Sequence, residues 1–179
     1  MSAIERVGVV YRVQPEPIDA SSTEWFEAGP VRFGLESRHV TPEALREAYR
    51  DDPAALAEIE ENSPEGGFSD DGVSIHVLGT SDGHEYLRFD VFAGDPHYHY
   101  IHRSGDRNHW IPFDFVSGGD MEAFVLRCLR ERLAPMLTEA GGADLAEGLD
   151  SRALGSAIDA LALRLESVRE DEPLGQGGA

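Results

Sequence analysis

Four of the seven histidines fall within thirteen residues, at His97, His99, His102 and His109, interleaved with Tyr98, Tyr100 and Trp110. Neutral imidazole is a good ligand for Zn, Fe, Cu or Ni. In an extended strand residues i and i+2 point to one side, so His97 and His99 would present two rings from one face. His102 has the opposite parity, and one regular strand cannot supply all three. The spacing points to a site for one divalent transition metal (Fe, Zn, Mn, Cu, Ni or Co). The competing reading is a half-buried strand whose polar tips are simply hydrogen-bonded, since aromatic residues favour strands anyway.

Ser104-Gly105-Asp106-Arg107 reads as a turn, followed by a strand over Asn108 to Phe115. With those four residues as the loop, Arg103 opposes Asn108, His102 opposes His109, His99 opposes Pro112 and His97 opposes Asp114. Opposed residues share a face. His97, His99 and Asp114 would then form a two-histidine, one-carboxylate set, the ligand type of many open mononuclear sites. The other face would gather Tyr98, Tyr100, His102 and His109. The third ligand is therefore expected from Asp114, or from one of His102 and His109. Tyr98, Tyr100 and His109 are candidate proton donors or orienting groups, and Arg88, Arg103 and Arg107 are candidates to pair with a carboxylate or phosphate.

The rest of the composition narrows the classes. The 179 residues carry 34 Asp+Glu against 15 basic residues, a formal charge of −19 and a pI near 4.5. That length fits one domain, and 41% hydrophobic residues suffice for a core. So acidic a surface repels phosphate backbones and anionic lipids, which excludes nucleic acid and membranes as expected partners. No apolar run reaches the roughly 18 residues of a membrane span. The first residues, MSAIERVGVVYRV, lack the long apolar stretch of a signal peptide, so a cytoplasmic location is expected. All 15 basic residues are arginine, a usage that fits a GC-rich genome or a high-salt proteome. A lysine Schiff base and a P-loop lysine are thereby excluded. The lone Cys128 excludes an internal disulfide and lies on an apolar helical stripe, as a core residue would. G-x-S-x-G, G-x-G-x-x-G and H-E-x-x-H are all absent.

The elements that must position the histidines read as follows. Val7, Val9 and Tyr11 alternate as a first strand; Gln14 to Pro30 reads as loop; Val31 to Glu36 is a second strand. Thr41-Pro42-Glu43 opens a helix to about Asp51, and Asp52-Pro53 opens another to about Glu61. Asn62 to Asp71 reads as loop. Val73 to Gly79 and His84 to Phe92 form a hairpin around Ser81-Asp82-Gly83, and Asp95-Pro96 bends the chain into the histidine segment. Pro112 places its strand at an edge or at a bulge. Ser117 and Asp120 resemble a capping box before the stripe Met121, Phe124, Val125, Cys128 and Leu129. A last helix runs from Ser151 with Leu154, Ile158, Leu161, Leu165 and Val168 on one face. The expected fold is α+β: an antiparallel sheet of about five to six strands covered by helices, with two C-terminal helices. A single domain is expected over 1–169, with an acidic, Gly-rich tail over 170–179.

The H-x-H pair on a strand is shared with cupins, but the upstream Gly, the following Glu and the second cupin motif are missing. Leu87-Arg88-Phe89-Asp90-Val91-Phe92 followed by Pro96-His97-Tyr98-His99-Tyr100 resembles an uncharacterised bacterial family of small acidic proteins. That resemblance implies no activity. The residues themselves point to a small metal-dependent enzyme acting on a small polar or anionic metabolite. The rival is a non-enzymatic acidic interaction or accessory protein with structural or pH-sensing histidines. A homodimer is neither required nor excluded.

Overall fold

Seven antiparallel strands form one sheet in the computed structural model, which describes residues 7–62 and 69–171. They are β1 (Val9–Tyr11), β2 (Thr23–Ala28), β3 (Val31–Val40), β4 (Asp70–Gly79), β5 (Glu85–Phe92), β6 (His97–Ile101) and β7 (Asn108–Pro112). Their order across the sheet is β1-β7-β6-β5-β4-β3-β2. From β2 to β7 each strand pairs with the next in sequence, so short connections suffice; β1 closes the far edge against β7. The α+β class is as the sequence implies, with more strands than the expected five to six.

Strand alternation divides the sheet into two unlike faces. Phe33, Leu35, Val73, Ile75, Val77, Leu87 and Phe89 point to one side, and all are buried. Helices cover them: α4 (Met121–Arg127), α5 (Leu133–Glu139), α6 (Ala143–Glu147) and α7 (Ser151–Asp171). Between α4 and α5 the chain makes one π-helical turn over Cys128–Arg132. Met121, Val125, Leu129, Leu137, Ile158, Leu161 and Leu165 complete this core. Each large side chain so buried stabilises the fold by about 1.5–3 kcal/mol. Cys128 belongs to it, and burial pushes its thiol up to about 11. A thiol held protonated is no nucleophile.

The opposite face is polar yet buried: Glu36, Ser74, His76, Arg88, Asp90, His97, His99 and Asn108 all have less than a tenth of their surface exposed. Helices α1 (Pro42–Ala48) and α2 (Pro53–Asn62) contribute Leu45, Glu58 and Ile59 to the wall of a cavity over this face. Residues 12–16 cross the mouth as a strap. The Glu58 carboxylate accepts from the N–H of Arg12 (3.2 Å) and Val13 (2.9 Å), and the Tyr49 hydroxyl donates to the Gln14 carbonyl (2.6 Å). At Gly8, where φ is +77°, a Cβ would stand 2.1 Å from the Trp110 carbonyl oxygen. Only glycine allows β1 that approach to β7.

Several boundaries differ from the sequence reading. β2 occupies part of the expected Gln14–Pro30 loop, its Trp25 ring covered by the Arg32 guanidinium at 4.2 Å. β3 runs to Val40 and β4 starts at Asp70 because those ends pair with each other. Residues 63–68 of the expected loop, and 172–179 of the expected tail, lie outside the described residues, while α7 continues through Asp171. Pro112 is not on an edge strand. β1 reaches only as far as Trp110, which leaves one flank of Pro112 without a strand neighbour. Ser117 is not a cap: it lies inside the short α3 (Phe115–Gly118), and Asp120 caps α4 by accepting from the Ala123 N–H. The C-terminal third holds α4 to α7 instead of two helices.

Candidate metal centre

The histidine hairpin is paired two residues away from the expected register. Ile101 opposes Asn108, Tyr100 opposes His109, His99 opposes Trp110 and His97 opposes Pro112. The connection spans 102–107, with the His102 N–H on the Arg107 carbonyl and the Gly105 N–H on the His102 carbonyl. Two residues is one full period of side-chain alternation, so His97 and His99 keep a common face. Asp114 loses its place beside them. It stands beyond β7 as the N-cap of α3, accepting from the Val116 N–H (2.8 Å) and the Ser117 hydroxyl (2.9 Å).

The carboxylate comes from the other side. Asp90 on β5 opposes His97 on β6, and Arg88 opposes His99. Asp90 Oδ2 lies 3.1 Å from His97 Nε2 and 3.2 Å from His99 Nε2. Ligand atoms about 2.1 Å from a metal stand about 3.0–3.4 Å apart at octahedral to tetrahedral angles. Asp90, His97 and His99 thus form a buried group that could hold a metal ion.

Each member is oriented from behind. His97 Nδ1–H donates to the Asp95 carbonyl (2.6 Å). His99 Nδ1 meets Asn108 Oδ1 at 2.7 Å, while Asn108 Nδ2 donates to the Val13 carbonyl (3.1 Å). That second bond makes Oδ1 the acceptor and His99 Nδ1 the donor. Both rings therefore turn Nε2 toward Asp90. The Ser74 hydroxyl donates to Asp90 Oδ1, leaving Oδ2 to the histidines. A ligand histidine whose other nitrogen donates to a carbonyl is the usual arrangement around protein-bound metals.

Charge on this face has its own balance. Glu85 and Glu36 flank His76 at 2.6 and 3.0 Å. Glu85 also takes the Arg88 Nε (2.8 Å) and Nη2 (2.7 Å). A bulge in β5 opposite Val77 and Leu78 turns Glu85 to this side and sends Tyr86 into the core. Arg38 pairs with Glu16 and Glu36. Burial alone would raise the Glu85 carboxyl, but Arg88 and His76 hold it down at about 2. Burial opposes a charged His76, yet its two carboxylates raise it overall. Glu16, Glu36 and Glu85 are thus matched by Arg38, Arg88 and His76, which leaves Asp90 and also Asp70, whose carboxylate accepts from the backbone N–H groups of Asp71, Gly94 and Asp95.

At Asp90, burial pushes the carboxyl up, but contacts with His97 and His99 and the charges of His97 and Arg88 hold it well below the carboxylate range. For His97 burial acts downward, and Asp90 with the Asp95 carbonyl and carboxylate raises it. His99 is lowered by burial and by the charges of His97 and Arg88, against the pull of Asp90.

The other residues singled out from the sequence are elsewhere. Tyr98 and Tyr100 lie on the helix-covered face, Tyr98 stacked on Phe89 and against Phe124. His109 opposes Tyr100 and shares that face. His102 is past the end of β6, its Nδ1 2.6 Å from the Ser104 hydroxyl. Arg103 is at the surface with Asp144 (2.8 Å) and Asp82 (3.1 Å), and Arg107 lies beside Asp106. Of these three arginines Arg88 borders the cavity, and it is paired with Glu85 and the Glu16 carbonyl. The residues that sequence reading missed are Asp90, Ser74, Asn108 and the cavity phenol Tyr11.

The cavity over this group measures about 840 Å³, within the range of small-molecule sites. Fold and site together define a single antiparallel sheet with one helix-covered face and a two-histidine, one-carboxylate centre buried in the other. Residues 25–165 match a family described as a domain of unknown function (DUF7700), and the chain belongs to that family. No curated protein and no solved structure matches it. Among the described residues no helix is long and apolar enough to cross a membrane.

Proposed function

We propose that the protein is a mononuclear metal-dependent enzyme acting on a small polar metabolite, with Asp90, His97 and His99 as the protein ligands. One observation carries the reading. The Nε2 atoms of His97 and His99 converge on one oxygen of buried Asp90 at 3.1 and 3.2 Å, and each ring's Nδ1 is held from behind, by the Asp95 carbonyl and the Asn108 amide. Two imidazole nitrogens and a carboxylate oxygen that share protons in this way are the donor set that a divalent cation would take over. A divalent metal would supply Lewis acidity toward a bound water or substrate oxygen. Three protein ligands are the usual number where a coordination position is left for such a molecule.

The chain's own groups then divide the remaining work. Ser74 and Asn108 orient ligands, Arg88 keeps Asp90 ionised, and the apolar wall of Phe92 and Trp110 limits water. Tyr11, beside Asn108 in the pairing of β1 with β7, gives the cavity a phenol. Burial and the nearby Glu58 and Asp95 raise its pKa, so it stays protonated and donates a hydrogen bond to substrate. Elemental analysis of untagged protein tests the reading. About one transition metal per chain in the wild type, absent from Asp90→Asn, supports it. Equal metal in both proteins contradicts it.

A further inference from the structure

Resting on that reading, the cavity also specifies the charge of its substrate. Glu16, Glu58, Asp70, Asp90 and Asp95 line it, against Arg38 and Arg88. Both arginines are taken: Arg38 by Glu16 and Glu36, Arg88 by Glu85 and the Glu16 carbonyl. Neither guanidinium is left to receive an anion. Even a divalent metal at Asp90 would leave the lining one charge negative, inside a chain of formal charge −19. Much of the remaining wall is apolar or aromatic, including Val40, Leu45, Phe92, Trp110, Tyr11 and Tyr49.

We propose that the site binds a small amine: a protonated nitrogen at the Asp95–Glu58–Tyr11 side of the mouth, and an apolar body against Trp110 and Phe92 above the histidines. The Asp95 carboxylate lines the cavity, 68% exposed and 3.9 Å from His97 Nδ1. Glu58 accepts two backbone N–H bonds, from Arg12 and Val13. Both carboxylates line the cavity with Tyr11, whose neighbours in the chain, Arg12 and Val13, give Glu58 its two N–H bonds. Carboxylates with aromatic faces beside them are the chemistry that recognises ammonium groups, by ion pairing and by cation–π attraction. At the Asp95–Glu58 side an anion of equal size would meet like charge.

The test is calorimetric titration with three probes of one shape: benzylamine, benzyl alcohol and benzoate. Wild type, Asp95→Asn and Glu58→Gln are each titrated as purified and after chelator treatment, with metal content measured on the same samples. Benzylamine is expected to bind wild type about tenfold tighter than benzoate at low salt. The gap should narrow in molar salt and in both variants. Benzoate binding as tightly as benzylamine, no probe binding at all, or an amine preference untouched by both variants overturns the inference. Failure of the metal reading is separate: protein without metal that still prefers the amine sinks only that reading. Metal-bearing protein without the preference sinks only this one.

Discussion

The imidazole of His99 and the amide of Asn108 are joined by a 2.7 Å hydrogen bond that decides which ring nitrogen faces Asp90. Asn108 is on β7, and its own N–H₂ holds the Val13 carbonyl of the strap across the cavity mouth. One buried amide therefore links the Val13 carbonyl at the cavity to the orientation of the His99 ring.

Removing that amide should be felt at the metal. Asn108→Leu leaves the His99 N–H and the Val13 carbonyl without partners, at a cost of about 1–3 kcal/mol in stability. It should weaken metal binding about 10–100-fold, as loss of an orienting partner does elsewhere. Asn108→Asp keeps an acceptor for His99 and should stay near wild type. Competition with a chromophoric chelator measures both affinities. A Leu variant that binds as tightly as wild type would show that the amide does not orient the ligand.

The observed register separates residues that the sequence grouped together. His99→Ala should abolish metal retention. His102→Ala should retain it, because that ring is bonded to Ser104 beyond the strand. Asp114→Ala should also retain metal while losing about 1 kcal/mol from the missing cap of α3. Metal content after dialysis reads all three. Loss in His102→Ala or Asp114→Ala would restore the register that the pairing of β6 with β7 has replaced.

What the sequence disclosed, and what it hid, can be traced to particular residues. The i, i+2 spacing made the common face of His97 and His99 readable, and a two-residue slip cannot alter that parity. Asp114 was attractive because it lay in the same hairpin. The carboxylate that meets them, Asp90, lies one hairpin earlier, on β5 opposite His97. Outward counting from the Asp95-Pro96 bend keeps Asp90 on the histidine face by parity but sets it opposite Ile101, because the bend alone does not reveal how long the connection is. The helix-covered core was legible from the 3.6-residue stripes of α4 and α7. β2 was hidden by its Ser- and Glu-rich surroundings, and the buried ionic face by sequence distance: Glu36, His76, Glu85 and Arg88 meet only once three strands are paired.

That ionic face gives the protein a stability with a defined pH dependence. His76 has a raised pKa when folded, so its contribution is full below its ordinary value of 6.5 and is lost as pH rises through the folded value. Glu85 is held at about 2, so its contribution is present above its ordinary 4.5 and fades as pH falls toward 2. Both act together between about pH 4.5 and 6.5. His76→Gln should cost on the order of 3 kcal/mol at pH 6, and progressively less as pH rises through the raised folded value and wild type itself gives up the proton. Urea unfolding of chelator-treated protein at pH 6 and along a rising pH series measures this. An equal loss throughout would mean that His76 is not charged in the folded state.

Anomalous diffraction from crystals of the untagged protein, collected on either side of the absorption edge of whichever metal elemental analysis finds, addresses the centre itself. The expected result is one strong peak about 2.0–2.2 Å from Asp90 Oδ2 and from Nε2 of both His97 and His99. A peak at His102 or at the surface carboxylates, or no peak in protein soaked with Fe, Zn, Mn, Cu, Ni and Co in turn, would contradict a metal centre at these three residues.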